Sequence, residues 1–431
     1  MPRWLDASEA NFEASLSEVL EGRRDGVSKR VDASVSKIIA DVRQLGIAAV
    51  MEATERFDRF QVTDPKALRV GHEELKAALN SLPSEMRSAL EIASSRIYAF
   101  HERQFPKDFQ YMDELGVTLG MRWTPISAVG LYVPGGAAAY PSSVLMNAIP
   151  AKVAGVDRLV ITAPTPGGRD NVTVLAAAAL AGVDEVWRIG GAQAVAALAY
   201  GANPIFPVDK IVGPGNAFVA EAKRQVFGQV GIDMVAGPSE VLIVADKTAN
   251  PRWLALDLLA QAEHDADAQS ILISESKEIL KSVAEEVEAE LKVLPRAEIA
   301  GASWRDHGAL IFASLETTPA IVDRIAPEHL ELMLESPDEF ADKIRNAGSI
   351  FLGSQTPEAI GDYIGGPNHV LPTSGAARFS SGLGVLDFMK RTTLLGCDEA
   401  SLANIGPHAV VLAESEGLDA HGRSVAVRLK E

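Results

Sequence analysis

The sequence has one cysteine, Cys397, in 431 residues. That excludes an intrachain disulfide and any Cys-x-x-Cys metal knuckle, and the thiol reads as a small buried or half-buried side chain. Basic residues are also short: 40 Lys and Arg stand against 58 Asp and Glu, a formal net charge of −18. Phosphate backbones and anionic lipid surfaces need clustered basic side chains, so neither nucleic acid nor a membrane surface is expected as a partner. The opening "MPRWLDASEANFEASL" lacks the apolar segment of a secretory signal. No run of eighteen or more apolar residues occurs, so no spanning helix is expected. Also missing are the dinucleotide fingerprint G-x-G-x-x-G, the metal-binding signature H-E-x-x-H and any repeat of fixed period. The expectation is a soluble, cytoplasmic, globular protein of two or three domains.

What is present falls into zones. The first ~105 residues read as helices, with apolar positions three and four apart in "VSKIIADVRQLGIAAVMEATERF" and "HEELKAALNSLPSEMRSALEIASSRIYAFHERQ". From about residue 118 short Val/Ile-rich runs ("ISAVGLYV", "RLVITAP", "EVWRI", "DKIVG", "EVLIVAD") alternate with helix-length stretches. That alternation predicts a parallel sheet covered on both faces. It continues past 240 with "SILISES", "GALIFASL", "HLELML" and "GSIFLG", so two α/β units are expected. After about 355 a long Gly/Pro/Asn-rich stretch, "GDYIGGPNHVLPTSGAARFSSGLG", reads as a functional loop. The tail "VVLAESEGLDAHGRSVAVRL" returns to helix.

Three Gly-rich turns, "YVPGG" (132–136), "IGGAQ" (189–193) and "VGPGN" (212–216), each follow a strand and precede a helix. Backbone N–H groups and positive helix ends suit a phosphate or nucleotide there, although Asn216 equally fits an N-cap. Of the eight histidines, His72, His101, His307 and His408 read as solvated or capping residues. The other four keep polar company. Gln261 and His264, three apart at the end of "PRWLALDLLAQAEHD", share one helix face. His329 follows Glu328 at a helix-to-strand junction, His369 lies seven residues after Asp362, and His421 has Glu416 and Asp419 nearby. Imidazole, carboxylate and carbonyl oxygen together suit zinc or a similar divalent ion, with the choice of ligands open. Glu328–His329 suggests acid/base work.

The segments "GLYVPGG", "GGAQAVAALAYG", "KIVGPGNAFVAEAKRQVFG", "IDMVAGPSEVLIVAD", "LLAQAEHD", "APEHLEL", "GDYIGGPNHVLPT" with "RFSSGL", and "EGLDAH", in that order, closely resemble the L-histidinol dehydrogenase family. The resemblance runs from about residue 30 to the C-terminus. It implies oxidation of L-histidinol through L-histidinal to L-histidine in histidine biosynthesis, with two NAD and one zinc per active site. It also implies an intertwined homodimer with two incomplete Rossmann-like domains. The domains would be 30–130 with 238–383 as the first α/β unit and 131–237 as the NAD-binding unit. Helical extensions at 1–29 and 384–431 would flank them, the second reaching the partner chain.

By the same resemblance, zinc is held by Gln261, His264, Asp362 and His421, the last from the partner chain, and the acid/base pair is Glu328 and His329. Substrate contacts fall on Ser239, Gln261, His264, His329, Asp362, His369, Glu416 and His421, and NAD contacts on Tyr132, Gln193 and Asn216. Acidic Glu240 and Glu416 suit a cationic substrate, unlike that of the relatives on this scaffold that oxidise a sulfonate.

Overall fold

The computed structural model describes residues 2–21, 29–134, 140–235 and 237–429. Two six-stranded sheets organise it. The first is wholly parallel, with neighbours in the order Arg3–Asp6, Ala309–Phe312, Gln269–Ser274, Glu240–Ala245, His329–Met333 and Ser349–Leu352. Its central strands are buried along their whole length, as their near-continuous apolar sequences require. Alternate residues serve opposite faces. Leu242, Val244, Ile271 and Ile273 pack against Phe12 and Leu16 of helix Phe12–Glu21, while Val241, Ile243 and Leu272 pack against Leu254 and Leu258 of helix Pro251–Ala262.

The second sheet runs Arg69–Val70, Glu185–Trp187, Arg158–Thr162, Ala128–Tyr132, Lys210–Val212 and Gly231–Ile232, parallel except for its first strand. Strand order reverses between Ala128–Tyr132 and Lys210–Val212, the place where open α/β sheets accept ligands. A three-stranded antiparallel arm joins Phe109–Met112, Thr118–Pro125 and Met389–Gly396. Helices Glu399–Ser415 and Asp419–Ala426 then pack on each other.

The expected domain boundaries differ from this arrangement at both ends. The first residues are not a helical extension, because Arg3–Asp6 is an edge strand of the sheet containing Glu240–Ala245. The helices between 29 and 102 cover the second sheet instead of the first. Lys29–Leu45 packs on Gly191–Tyr200 and Ala217–Val226, His72–Ser81 on Val172–Leu180, and Ser84–Glu102 on Pro141–Ala154. Amphipathic spacing shows that a helix has an apolar face and is silent on which sheet that face meets. The C-terminal extension includes the strand Met389–Gly396, whose outer residues are exposed, and Cys397 beyond it is exposed, not buried. No helix among the described residues is long and apolar enough to cross a membrane.

One feature ties the long loop to the second sheet, and a second braces a turn within that sheet. Pro150 stands inside helix Pro141–Ala154 and has no N–H for the Met146 carbonyl four residues earlier. The Asn368 side-chain amide from the long Gly/Pro/Asn loop donates to that carbonyl at 2.6 Å. The second is a buried ion pair, Lys223 with Asp233, whose side chains are 2% and 1% exposed. Lys223 Nζ donates to Gly213 O at 2.9 Å, and Asp233 accepts from the backbone N–H groups of Gly213 (2.8 Å) and Met234 (2.7 Å). Gly213 has φ +109°, and a Cβ there would sit 2.2 Å from Tyr132 O, so only glycine fits. The pair thus holds the "VGPGN" turn against the end of the neighbouring strand.

Replacing Lys223 with Met leaves Asp233 as an uncompensated buried charge. The expected cost is ~3–5 kcal/mol in urea unfolding; a loss below 1 kcal/mol would mean that the pair does not brace the turn.

Candidate active site

Glu328 precedes and His329 opens the strand His329–Met333, and Ser239 precedes and Glu240 opens its neighbour Glu240–Ala245, so they lie at the amino edge of the first sheet. The backbone N–H of Glu240 donates to Glu328 Oε2 at 3.0 Å. His329 Nδ1 lies 3.2 Å from the Glu240 carbonyl oxygen, which can only accept, so Nδ1 carries the proton and Nε2 is the basic nitrogen. Nε2 is buried without a hydrogen-bond partner among the described residues. Burial pulls the His329 pKa down to about 4; the Asp362 carboxylate opposes this, and His369 and His264 add to it. The ring is therefore a neutral base near pH 7, with His264, Asp362 and His369 all within electrostatic reach.

Gln261 is on the last turn of helix Pro251–Ala262 and fully buried, with neither side-chain polar atom partnered among the described residues. His264, one turn on, is exposed, and its backbone N–H donates to Gln261 O at 3.1 Å. Helix Glu358–Tyr363 packs beside this helix and carries Asp362. His369 Nδ1 donates to the Asp362 carbonyl at 2.9 Å, and its Nε2 lies 3.3 Å from Ser143 Oγ, which donates to it. His369 therefore bridges the long loop to helix Pro141–Ala154 of the second sheet.

Sequence reasoning missed Glu358, Ser143 and the burial of His101. Glu358 Oε1 lies 3.5 Å from His329 Nδ1, and His329, Glu358 and Asp362 present possible ligand atoms within 4.8 Å of one another. The spacing Glu358–Asp362, one helical turn, was available as a signal. Burial, with the charges of Asp362, Glu331, Glu328 and Asp257, holds the Glu358 carboxyl well above the usual range. His101 is fully buried, with Nδ1 2.7 Å from the Ile97 carbonyl and Nε2 3.4 Å from Asn368 Nδ2. A histidine at a helix end, two residues before Arg103, gave no sign of that. His421 and Glu416 are exposed in the C-terminal helical pair, beside exposed Val411, Leu412 and Leu418, and lie outside the His329–Glu358–Asp362 group.

At the carboxyl edge of the second sheet, the Tyr132 hydroxyl oxygen accepts from Gly191 N–H at 3.0 Å. Burial pushes the Tyr132 pKa up to about 12. Gln193 is buried, with both side-chain polar atoms unpartnered among the described residues. Asn216 is the N-cap of helix Ala217–Val226, its Oδ1 accepting from Phe218 and Val219 N–H groups at 3.1 and 3.2 Å. Gly135 and Gly136 of the first Gly turn lie outside the described residues. A cleft of about 270 Å³ opens beside these strand ends, between Pro134, Pro164, Thr165, Asn171 and Trp187.

The His329 proton has a pKa of about 4 when folded, against 6.5 for the ordinary residue. Between those values the unfolded chain binds it more tightly, so this residue's contribution to stability is complete above pH 6.5 and lost as the pH falls through 4. In urea unfolding of metal-free protein, the wild type should lose more stability than His329→Gln across that window. An equal pH dependence would mean that the ring is not held neutral.

A family model described as histidinol dehydrogenase matches residues 22–429. The chain is 60% identical over 431 residues to a histidinol dehydrogenase of Rhodospirillum rubrum, covering 100% of this chain and 99% of that one. It is 59% identical to one of Rhodopseudomonas palustris, covering 100% of both. The crystal structure of histidinol dehydrogenase from Elizabethkingia anophelis superposes with a TM-score of 0.94 at 36% identity, over 100% of this chain and 98% of that one. With that coverage, the chain belongs to the histidinol dehydrogenase family of oxidoreductases.

Proposed function

We propose that this enzyme oxidises L-histidinol through L-histidinal to L-histidine, the last steps of histidine biosynthesis in the cytoplasm, passing two hydrides to two NAD and requiring zinc. The observation that carries the reading is Gln261, a fully buried amide whose oxygen and nitrogen both lack a partner among the described residues. Each buried orphan costs about 1–3 kcal/mol unless a ligand satisfies it. Gln261, His264 and Asp362 would hold the zinc, a donor set of amide oxygen, imidazole and carboxylate that suits it. His421 of a second copy of the chain would complete the set. Its exposure among exposed apolar side chains supports a homodimer in which the C-terminal helices, with Glu416, reach into a neighbour's site. When bound, zinc would fix the substrate's imidazole and amine and lower the charge on the reacting oxygen.

The chain's own residues supply the rest. Ser239, His369 and Glu416 contact the substrate, and Glu240, Glu358 and Asp362 give its cationic groups an acidic surround. Tyr132, Gln193 and Asn216 receive the dinucleotide; Gln193 is a second buried orphan amide, and Asn216 keeps its NH₂ for a ligand because its oxygen caps the helix. His329 Nε2 takes the alcohol proton, and NAD, when bound, would accept the hydride that leaves the carbinol carbon, giving the aldehyde. Glu328 then takes a proton from the water that adds to the aldehyde carbon. The anionic hydrate then gives up a second hydride, for which a second NAD would be the acceptor, and the carboxylic acid that remains releases its proton to become the carboxylate product.

With excess NAD, two NADH should form per L-histidinol, with activity lost to a chelator and restored by zinc. One NADH would end the reaction at the aldehyde and overturn the reading. Glu328→Gln should slow histidinal oxidation by ~10²–10⁴-fold while sparing the histidinol half-reaction; equal slowing of both halves would refute the separate roles.

A further inference from the structure

Glu331 takes no part in the chemistry above, yet it is 1% exposed in the middle of the first sheet. It lies two residues after His329 on the same strand, so both side chains leave the same face. Its Oε1 accepts the backbone N–H of Glu358 at 2.6 Å. Glu358 is the first residue of helix Glu358–Tyr363, where N–H groups have no partner within the helix, and the N-cap Pro357 offers no side-chain cap. The strand therefore reaches Glu358 twice, through Glu331 to its amide and through His329 to its carboxyl at 3.5 Å. At the other end of this helix, Arg96 donates to the carbonyls of Ile364 (2.6 Å) and Gly365 (3.0 Å).

Glu331 also shares a side-chain hydrogen bond with Asp257 on helix Pro251–Ala262, which two carboxyl groups make only with a proton between them. Asp257 stands one helical turn before Gln261, and Glu358 one turn before Asp362. One carboxyl group thus joins the two helices at equivalent points, each a turn away from a proposed zinc ligand.

We propose that Glu331 is a positioning residue, setting the spacing of Gln261 and Asp362 by holding the Glu358 amide on one side and Asp257 on the other. This rests on the zinc site proposed above. Partners of metal ligands are typically worth 10–100-fold in metal affinity, and the same range applies here.

The test is zinc transfer to a chromogenic chelator, with histidinol KM and kcat measured in parallel and folding of each variant followed by circular dichroism. Glu331→Leu should release zinc with an affinity weakened about 10–100-fold. Glu331→Gln retains an acceptor for the Glu358 amide and a donor for Asp257, and should stay within about threefold of wild type. Equal affinity in Glu331→Leu and wild type overturns the proposal. So does a Glu331→Gln as weak as Glu331→Leu, because the acceptor geometry would then not be what matters. If Glu331→Leu does not fold, Asp257→Ala decides: weaker zinc binding supports the tether, and unchanged binding removes it. A wild type that binds no zinc at all would refute the proposed site itself, a failure distinct from any difference among variants.

Discussion

The structure depends on a single carbonyl oxygen that its own helix cannot satisfy. Pro150 removes the N–H that Met146 O would accept, and the Asn368 side chain supplies the replacement from the other half of the molecule. Asn368 is itself fixed by accepting from Val370 N–H at 2.9 Å. A buried carbonyl left without a donor would cost on the order of 1–3 kcal/mol, so the long loop has a strong reason to dock at this place on helix Pro141–Ala154. Docking brings His369 to Ser143 one residue later, and packs Val370 and Leu383 into the core of the second sheet. A proline in a helix of one sheet thereby fixes a histidine beside the residues of the other.

The two halves of the site obey opposite rules, and this governs how much of it the sequence could reveal. Tyr132 and the turns around Gln193 and Asn216 follow strands, at the carboxyl edge where parallel sheets usually bind ligands, and glycines mark them. Glu328, His329, Ser239 and Glu240 precede or open their strands, at the amino edge, where no general expectation points. Pattern alone could single out these residues by chemical type; their grouping came from resemblance to a family. The alternation of strands and helices was legible because buried parallel strands need unbroken apolar runs. Membership of a sheet was not, since Arg3–Asp6 pairs with Ala309–Phe312 through backbone groups that every sequence possesses. His101 was misread for a related reason: nothing in a helix pattern announces that a loop far along the chain will cover its end.

Charge also needs the assembled fold to be understood. The deficit of basic residues is visible in composition, but its use is local. Glu328, Glu331, Glu358, Asp362 and Asp257 come from three elements and meet in a space too poor in water to ionise them all. Their mutual repulsion raises the affinity of this place for positive charge, whether proton, metal or ammonium. The Lys223–Asp233 pair shows the alternative solution, in which a buried carboxylate is neutralised within the chain and serves to hold a turn.

The pairing of the first strand with Ala309–Phe312 has a consequence for how the molecule is made. Arg3–Asp6 is synthesised well before its one strand neighbour among the described residues, which is some three hundred residues behind it. Everything needed for the second sheet is synthesised in between, so that sheet can close as an insertion while the first segment waits unpaired. Joining ends so far apart in the chain is slow because loop-closure entropy must be overcome before the pairing gives any return. The edge strand is therefore a late event, and the sheet that carries Glu328 and His329 is completed only after every strand of the second sheet has been made.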